Sequence, residues 1–269
     1  MPASKRLYRL RSLRRRMPFE TFDRTVPWRA GWKREYFGGR AHVRPSWTTC
    51  VFELDLTSRA ETPRIAIRPA TPQDRPALLD AFLDAFRFGT DYCDYPMAGY
   101  RQAAAKYYDA FFGGERGAWS APASCLAVEG DRVVAAALVK ERASGPLLDC
   151  VYARPERLRK GLATAVAAFA VNRLVEAGHG KLKSCAQLAN AASIAWHTRF
   201  GFVELSNWMT PQSRYFNALR ELERRREWKL IAPGQEAVAL REIEVLEREY
   251  ERIESLKEAD FRAVMPLPD

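Results

Sequence analysis

The chain has 269 residues, of which 47% are hydrophobic and 28% charged, and its formal net charge is +10. That balance reads as globular rather than disordered, with enough length for one substantial core and a smaller appended module. No run of about 18 apolar residues occurs and the Met1 start lacks an apolar signal core, so neither a membrane span nor secretion is expected.

"KRLYRLRSLRRRM" (Lys5 to Met17) is an arginine-rich arm. Residues 1–46 hold thirteen Lys/Arg against three acids, so residues 47–269 carry thirty of each sign. The whole net charge therefore belongs to the N-terminal segment. Three readings of residues 5–16 stand open: a solvated tail, a contact with a polyanion such as RNA, a ribosome surface or acidic lipid, and a mitochondrial transit peptide, which is also Arg-rich and acid-poor.

"GWKREYFGGRAHVRP" (Gly31 to Pro45) reads as a hairpin turning at Gly38-Gly39, where positive φ angles are needed. "WTTCVFELDL" is a further strand and "TSRAETP" a linker. "RIAIRPA" alternates as a strand. "TPQDRPALLDAFLDAF" is a helix with Thr71 as N-cap and Pro72 in its first turn. A second helix follows through "YRQAAAKYYDAFF", and "SCLAVEGDRVVAAALVKE" gives two strands joined at Gly130-Asp131. "PLLDCVYA" is a strand, "KGLATAVAAFAVNRLVEA" a long helix, "KLKSCAQL" a strand, "NAASIAWHTR" a short helix and "FGFVEL" a closing strand.

This β-α-α-β-β-β-α-β-α-β order over residues 64–205 demands a mixed sheet with helices on its faces. Residues 214–230 and 235–257 then form a helical hairpin. Its second member carries a stripe of Leu240, Ile243, Leu246, Tyr250, Ile253 and Leu256 at spacings of three and four. Whether the stripe faces its own domain or a second subunit stays open. The domains expected are 1–62, a basic arm with a β-hairpin; 63–209, the α/β core; and 210–269, the helical hairpin.

The five cysteines are scattered and odd in number, which suits a reducing cytoplasm, and none stands at metal-ligand spacing with the three histidines. No metal is expected. A kinase or dinucleotide enzyme is disfavoured because neither Gly-x-Gly-x-x-Gly nor Gly-Lys-Ser/Thr occurs.

The stretch "LRKGLATAV" (Leu158 to Val166) joins a strand to a helix through two cations and a glycine. A helix beginning near Gly161 exposes unpaired N–H groups and the positive end of its dipole, which suits a phosphate. Together with "LANAASIAWHTRFGF", this core order resembles the GNAT superfamily of acetyl-CoA-dependent N-acetyltransferases over residues 64–205. The resemblance implies a GNAT-like α/β (α+β) fold with a mixed, mostly antiparallel sheet flanked by helices. It also implies direct acetyl transfer from acetyl-CoA to a primary amine, small molecule or protein, in a ternary complex of a monomer or dimer.

By the same resemblance Arg159, Lys160, Gly161, Leu162, Ala163 and Thr164 hold the diphosphate, Leu158 standing where the family has Gln or Arg. Asn190 and Ser193 face the carrier's arm. Backbone N–H near Val151, Tyr152 and Ala153 binds the acetyl carbonyl. His197, where the family often has Tyr, would give a proton to the departing thiolate. Asp149, a carboxylate inside an apolar strand, and Glu141 are rival bases for the amine. Asp91, Tyr92, Asp94 and Tyr95 would suit a cationic acceptor. A different class is also carried: a catalytically inactive scaffold of this fold, or an RNA- or ribosome-associated binding protein, motivated by Leu158, His197 and the arginine arm.

Overall fold

The computed structural model describes residues 13–60, 65–87, 89–93, 95–115, 117–205 and 207–255, arranged as two units. The first comprises the described residues of 1–51, 186–195 and 205–268; the second, those of 52–185 and 196–204.

In the second unit, strands β4 (Thr49–Asp55), β5 (Ala66–Pro69), β6 (Ala118–Trp119), β7 (Cys125–Glu129), β8 (Arg132–Arg142), β9 (Gly145–Ala153), β10 (Lys181–Gln187) and β11 (Val203–Leu205) belong to one sheet. Its order is β11-β4-β10-β9-β8-β7-β5, with β6 on β8. The pairs β5/β7, β7/β8, β6/β8 and β8/β9 are antiparallel, and β9/β10 is parallel. The mixed, mostly antiparallel sheet is the architecture expected. β8 is buried from Val133 to Lys140, so "VVAAALVK" reads as a continuous run rather than an alternation.

Helices α2 (Arg75–Phe86) and α3 (Met97–Phe112) enclose Leu78, Phe82, Tyr100, Tyr108 and Phe111 with Leu138 and Tyr152 of the sheet. Helix α4 (Leu162–Glu176) buries Val166, Ala170, Val171 and Leu174. α5 (Ala191–Phe200) leads into β11. The strand read as part of the N-terminal extension, β4, is a member of this sheet between β11 and β10. Phe52 and Leu54, two residues apart, are its buried side chains in this unit, and that alternation is the physical reason it pairs here.

In the first unit, β1 (Leu13–Arg16), β2 (Trp32–Phe37) and β3 (Arg40–Pro45) form a three-stranded antiparallel sheet in the order β1-β3-β2. Gly38 and Gly39 turn the hairpin at φ +56° and +69°. Helix α1 (Phe19–Thr25) places Phe22 against Ala41 and Val43. Thus the end of the arginine arm is a strand, while residues 1–12 lie outside the described residues.

Helices α6 (Met209–Glu227) and α7 (Gln235–Glu254) form the expected hairpin, with the Tyr215 and Tyr250 rings stacked at 5.6 Å. The stripe is buried at Ile243 and Ile253, while Leu240 stays 41% exposed. α6 is tied to the N-terminal segment of its own unit: Arg224 donates to the carbonyls of Asp23 and Arg24, and Trp28 N donates to Glu221. No helix among the described residues is long and apolar enough to cross a membrane.

Thr71 caps a 3-10 turn (Pro72–Asp74) that runs into α2. Asp74 Oδ2 accepts from Thr71 N at 2.8 Å and Thr71 Oγ1 at 2.9 Å, and its carboxylate accepts from Arg68 at 2.8 and 2.6 Å. These partners, Arg68 foremost, hold the carboxyl below its ordinary value of 3.8. A depressed carboxyl contributes stability that is present above that ordinary value and is lost as pH falls through the folded one. Asp74→Asn should therefore cost about 1 kcal/mol at neutral pH. In thermal melts across acidic pH, the gap from wild type should close as the wild-type carboxyl protonates.

Candidate functional site

The site is built where β9 ends. Arg154 follows the strand, its N–H bonded to Val134 O at 2.9 Å. Its side chain is 2% exposed, with Nε on Val133 O at 2.6 Å, Nη2 on Asp80 at 2.5 Å and Nη1 on Asp84. A buried guanidinium is tolerated only when so partnered, and the pairing pins the exit of β9 to α2.

A 3-10 turn, Pro155–Arg157, then leads to Arg159 at φ +63° and Gly161 at φ +79°, after which α4 begins at Leu162. A Cβ added at Gly161 would meet nothing within 4 Å, so glycine is favoured here by the left-handed backbone rather than by crowding. No side chain caps the helix. The first intrahelical bond is Ala165 N to Gly161 O at 2.9 Å, so the preceding N–H groups of the first turn have no partner within the helix.

A cleft of about 390 Å³ opens at this turn, with Gly161, Leu162, Ala163 and Thr164 on one side. Its other walls bring Arg59, Arg157 and Arg199 beside Arg159, with Trp196 and Phe200 as the apolar surface. The Trp196 and Phe200 rings stack at 5.1 Å, and Trp196 Nε1 donates to Thr164 Oγ1 at 3.3 Å. Arg59 is built in firmly. Its backbone N–H bonds Asn172 Oδ1 at 2.8 Å, its Nη1 bonds Phe200 O at 2.8 Å, and its guanidinium lies 4.3 Å above the Phe200 ring. Arg157 is ion-paired to Glu129.

The Nε atoms of Arg59 and Arg157 are buried without a hydrogen-bond partner. Four arginines around an open helix N-terminus suit a multiply charged anion such as a diphosphate. The sequence reading placed Arg159, Gly161, Leu162, Ala163 and Thr164 here. It did not anticipate Arg59, Arg199 or Trp196. Lys160 is exposed and does not line the cleft.

Further back, β9 pairs with β10 only through Leu147 and Leu148, opposite Lys183 and Ser184. Val151, Tyr152 and Ala153 pair with β8 alone in the recorded registers. Asp149 is the extra residue where the β8/β9 register shifts, Leu138 facing Cys150 and Val139 facing Leu148. A bulge re-aims a side chain, and Asp149 Oδ2 accepts from Tyr107 Oη of α3 at 2.7 Å, with Lys140 Nζ at 3.7 Å. Burial, then the neighbouring Cys150 and Asp149, push the Tyr107 hydroxyl well above its usual range, so it remains a proton donor.

The rival base Glu141 faces His179 at 3.7 Å. His197 is 2% exposed, stacked on Phe52 at 4.6 Å, with Nε2 2.9 Å from Ser184 Oγ. Ser184 Oγ donates onward to Leu148 O at 3.2 Å, so its single proton is committed and His197 Nε2 is the donor to it. The three proposed acid–base residues are thus held by three different partners. In the first unit Asn190 Oδ1 accepts from Ser193 N at 3.2 Å, the geometry of a helix N-cap.

Of the residues expected to meet an acceptor, Tyr92 packs against Tyr100 at 4.8 Å and Tyr95 is 45% exposed. The Asp91 carboxyl is pushed up by burial. Asp94 lies outside the described residues.

Residues 80–202 match the family model described as acetyltransferase (GNAT) family. The chain is similar in structure to a GCN5-related N-acetyltransferase from Sphaerobacter thermophilus, with 16% identity and a TM-score of 0.42. That match covers 58% of this chain and 48% of the other, under half of its length. It is also similar to a PaiA N-acetyltransferase from Thermoplasma acidophilum in complex with coenzyme A, with 14% identity, 54% of this chain, 94% of the other and a TM-score of 0.44. No curated protein matches the sequence significantly.

The hydrogen bond from His197 to Ser184 sets a measurable cost. Ser184→Ala should lower unfolding free energy by about 1–2 kcal/mol in denaturant titrations, because it strips a partner from a buried imidazole.

Proposed function

We propose that this chain, whose residues 80–202 match the acetyltransferase (GNAT) family model, moves an acetyl group from acetyl-CoA to a primary amine by direct attack. The observation that carries this reading is the open first turn of α4 facing four arginines, two of which keep a buried, unpartnered Nε. In this reading the N–H groups of residues 162–164 bind the diphosphate of the carrier, with charge from Arg59, Arg157, Arg159 and Arg199. Lys160 adds charge from the rim.

The stretch of β9 beyond Leu148, no longer paired with β10, offers the N–H groups of Val151 and Ala153 to the acetyl carbonyl, while that of Tyr152 between them faces β8. Asp149 takes the amine's proton, held in place by Tyr107, with Glu141 as the alternative base. His197 in its imidazolium form supplies the proton to the thiolate and is left as the neutral imidazole. The five cysteines, none of them in a disulfide, fit a reducing cytoplasm.

A second reading, a GNAT-fold protein that binds the carrier without turning it over, is favoured by the enclosure of His197 and by its bond to Ser184. Thermal shift with acetyl-CoA, free CoA and ATP at matched concentrations tests the binding claim. Stabilisation by both CoA species and not by ATP is expected, and the absence of any CoA shift would sink both readings. Arg59→Ala should weaken CoA roughly 10-fold or more through loss of a charge-assisted contact.

Thiol release from acetyl-CoA across a panel of amines separates the two readings. For the enzyme, His197→Gln should lower kcat about 10- to 100-fold while the CoA shift persists. For the non-catalytic protein no amine releases thiol.

A further inference from the structure

The three-stranded sheet of the first unit turns one face to its own core and leaves the other bare. Ala41 and Val43 of β3 are buried against Phe22 and Val26. Strand side chains alternate between faces, so Arg40, His42 and Arg44 stand on the opposite face. The register aligns Arg40 with Arg16 of β1 and Phe37 of β2, His42 with Glu35, and Arg44 with Lys33. Arg16, Lys33, Arg40 and Arg44 are exposed, and the one acid among these positions, Glu35, is matched to Arg44 at 3.3 Å.

At the hairpin end of this face Phe37 is 58% exposed. Its ring stacks on His42 with centroids 4.3 Å apart and planes 15° apart, and His42 Nε2 is buried without a hydrogen-bond partner. A large aromatic ring left in water among cations needs an explanation that a solvated tail does not offer.

We propose that this face binds single-stranded RNA. Arg40 and Arg44, four residues apart on β3 and so about 13.6 Å, with Arg16 and Lys33 at the paired positions of β1 and β2, supply a track for the phosphate backbone. Phe37, backed by His42, offers a platform on which an unpaired base stacks. A duplex keeps its bases stacked on one another and gains nothing from such a ring, and an anionic membrane, though it draws the cations, needs a broader apolar face to bury than one ring stacked flat on an imidazole. Charge complementarity together with one accessible ring therefore selects a strand with free bases, the form in which RNA loops and ends present themselves. The surface shares no residue with the cleft at α4 and does not depend on acetyl transfer.

The test is fluorescence anisotropy of a labelled oligouridine of about 15 nucleotides with the full chain, between about 50 and 200 mM salt. With about four cations engaged, log affinity should fall against log salt with a slope of about −3. Arg16→Gln combined with Arg40→Gln, both exposed, should flatten the slope by about 1.4. Phe37→Ala should weaken binding about 5- to 100-fold at unchanged slope, and Phe37→Trp should restore it. Unaltered thermal melts and CoA shifts would show that the variants fold.

Four outcomes overturn the proposal. These are no binding by the wild-type chain, a slope the double variant leaves unchanged, wild-type affinity in Phe37→Ala, or RNA affinity equalled by duplex, by single-stranded DNA of the same sequence or by anionic vesicles.

Discussion

Arg154 is the group on which the geometry of the second unit turns. A guanidinium buried to 2% exposure survives only with its donors occupied, and Asp80, Asp84 and the Val133 carbonyl occupy them. Because Asp80 and Asp84 sit on α2 and Val133 on β8, the pairing settles where β9 stops. The chain must then reverse into α4 within a few residues. It does so through two positive φ angles at Arg159 and Gly161, and the helix starts with its first N–H groups uncapped. The open helix start follows from the need to bury one cation well.

Charge in this unit is a matter of placement rather than total. Residues 47–269 carry thirty cations and thirty acids, yet four arginines from separate segments meet around one helix start. Elsewhere the acids neutralise their neighbours, as Asp74 does for Arg68 and Glu53 for Lys181. Local positive potential at a low-dielectric wall of Trp196 and Phe200 is worth more than the same charges spread in water. In the first unit Arg16, Lys33, Arg40 and Arg44 are arranged differently, as exposed cations on one face of a sheet whose other face is core.

Asp149 shows how a backbone irregularity makes a chemical feature. An aspartate inside "PLLDCVYA" would be costly in a regular central strand. The register shift opposite Leu138 and Val139 lets it meet Tyr107 and Lys140 instead. Parallel pairing with β10 is recorded only as far as Leu148, just before this point.

The order of strands and helices from β5 to β11 (the short β6 apart), the Gly38-Gly39 turn, the Thr71 cap, the helical hairpin and the glycine-led start of α4 were legible in the sequence, whereas β1 and α1 were not. Each depends on neighbours within a few residues: apolar periodicity, a capping hydroxyl, a glycine where φ must be positive. What tertiary structure alone decided is which distant groups meet. Arg59 sits in a stretch that reads as a linker, and only its bonds to Asn172 and Phe200 bring it to the cleft. β4 reads as part of an extension until its Phe52 and Leu54 find the sheet. His197 reads as a proton donor by its place in the motif, and nothing in the sequence shows that Phe52 and Ser184 enclose it. Contacts across a hundred residues leave no period in the chain, because they depend on packing and on the pairing of buried charge, which exist only once the layers have come together.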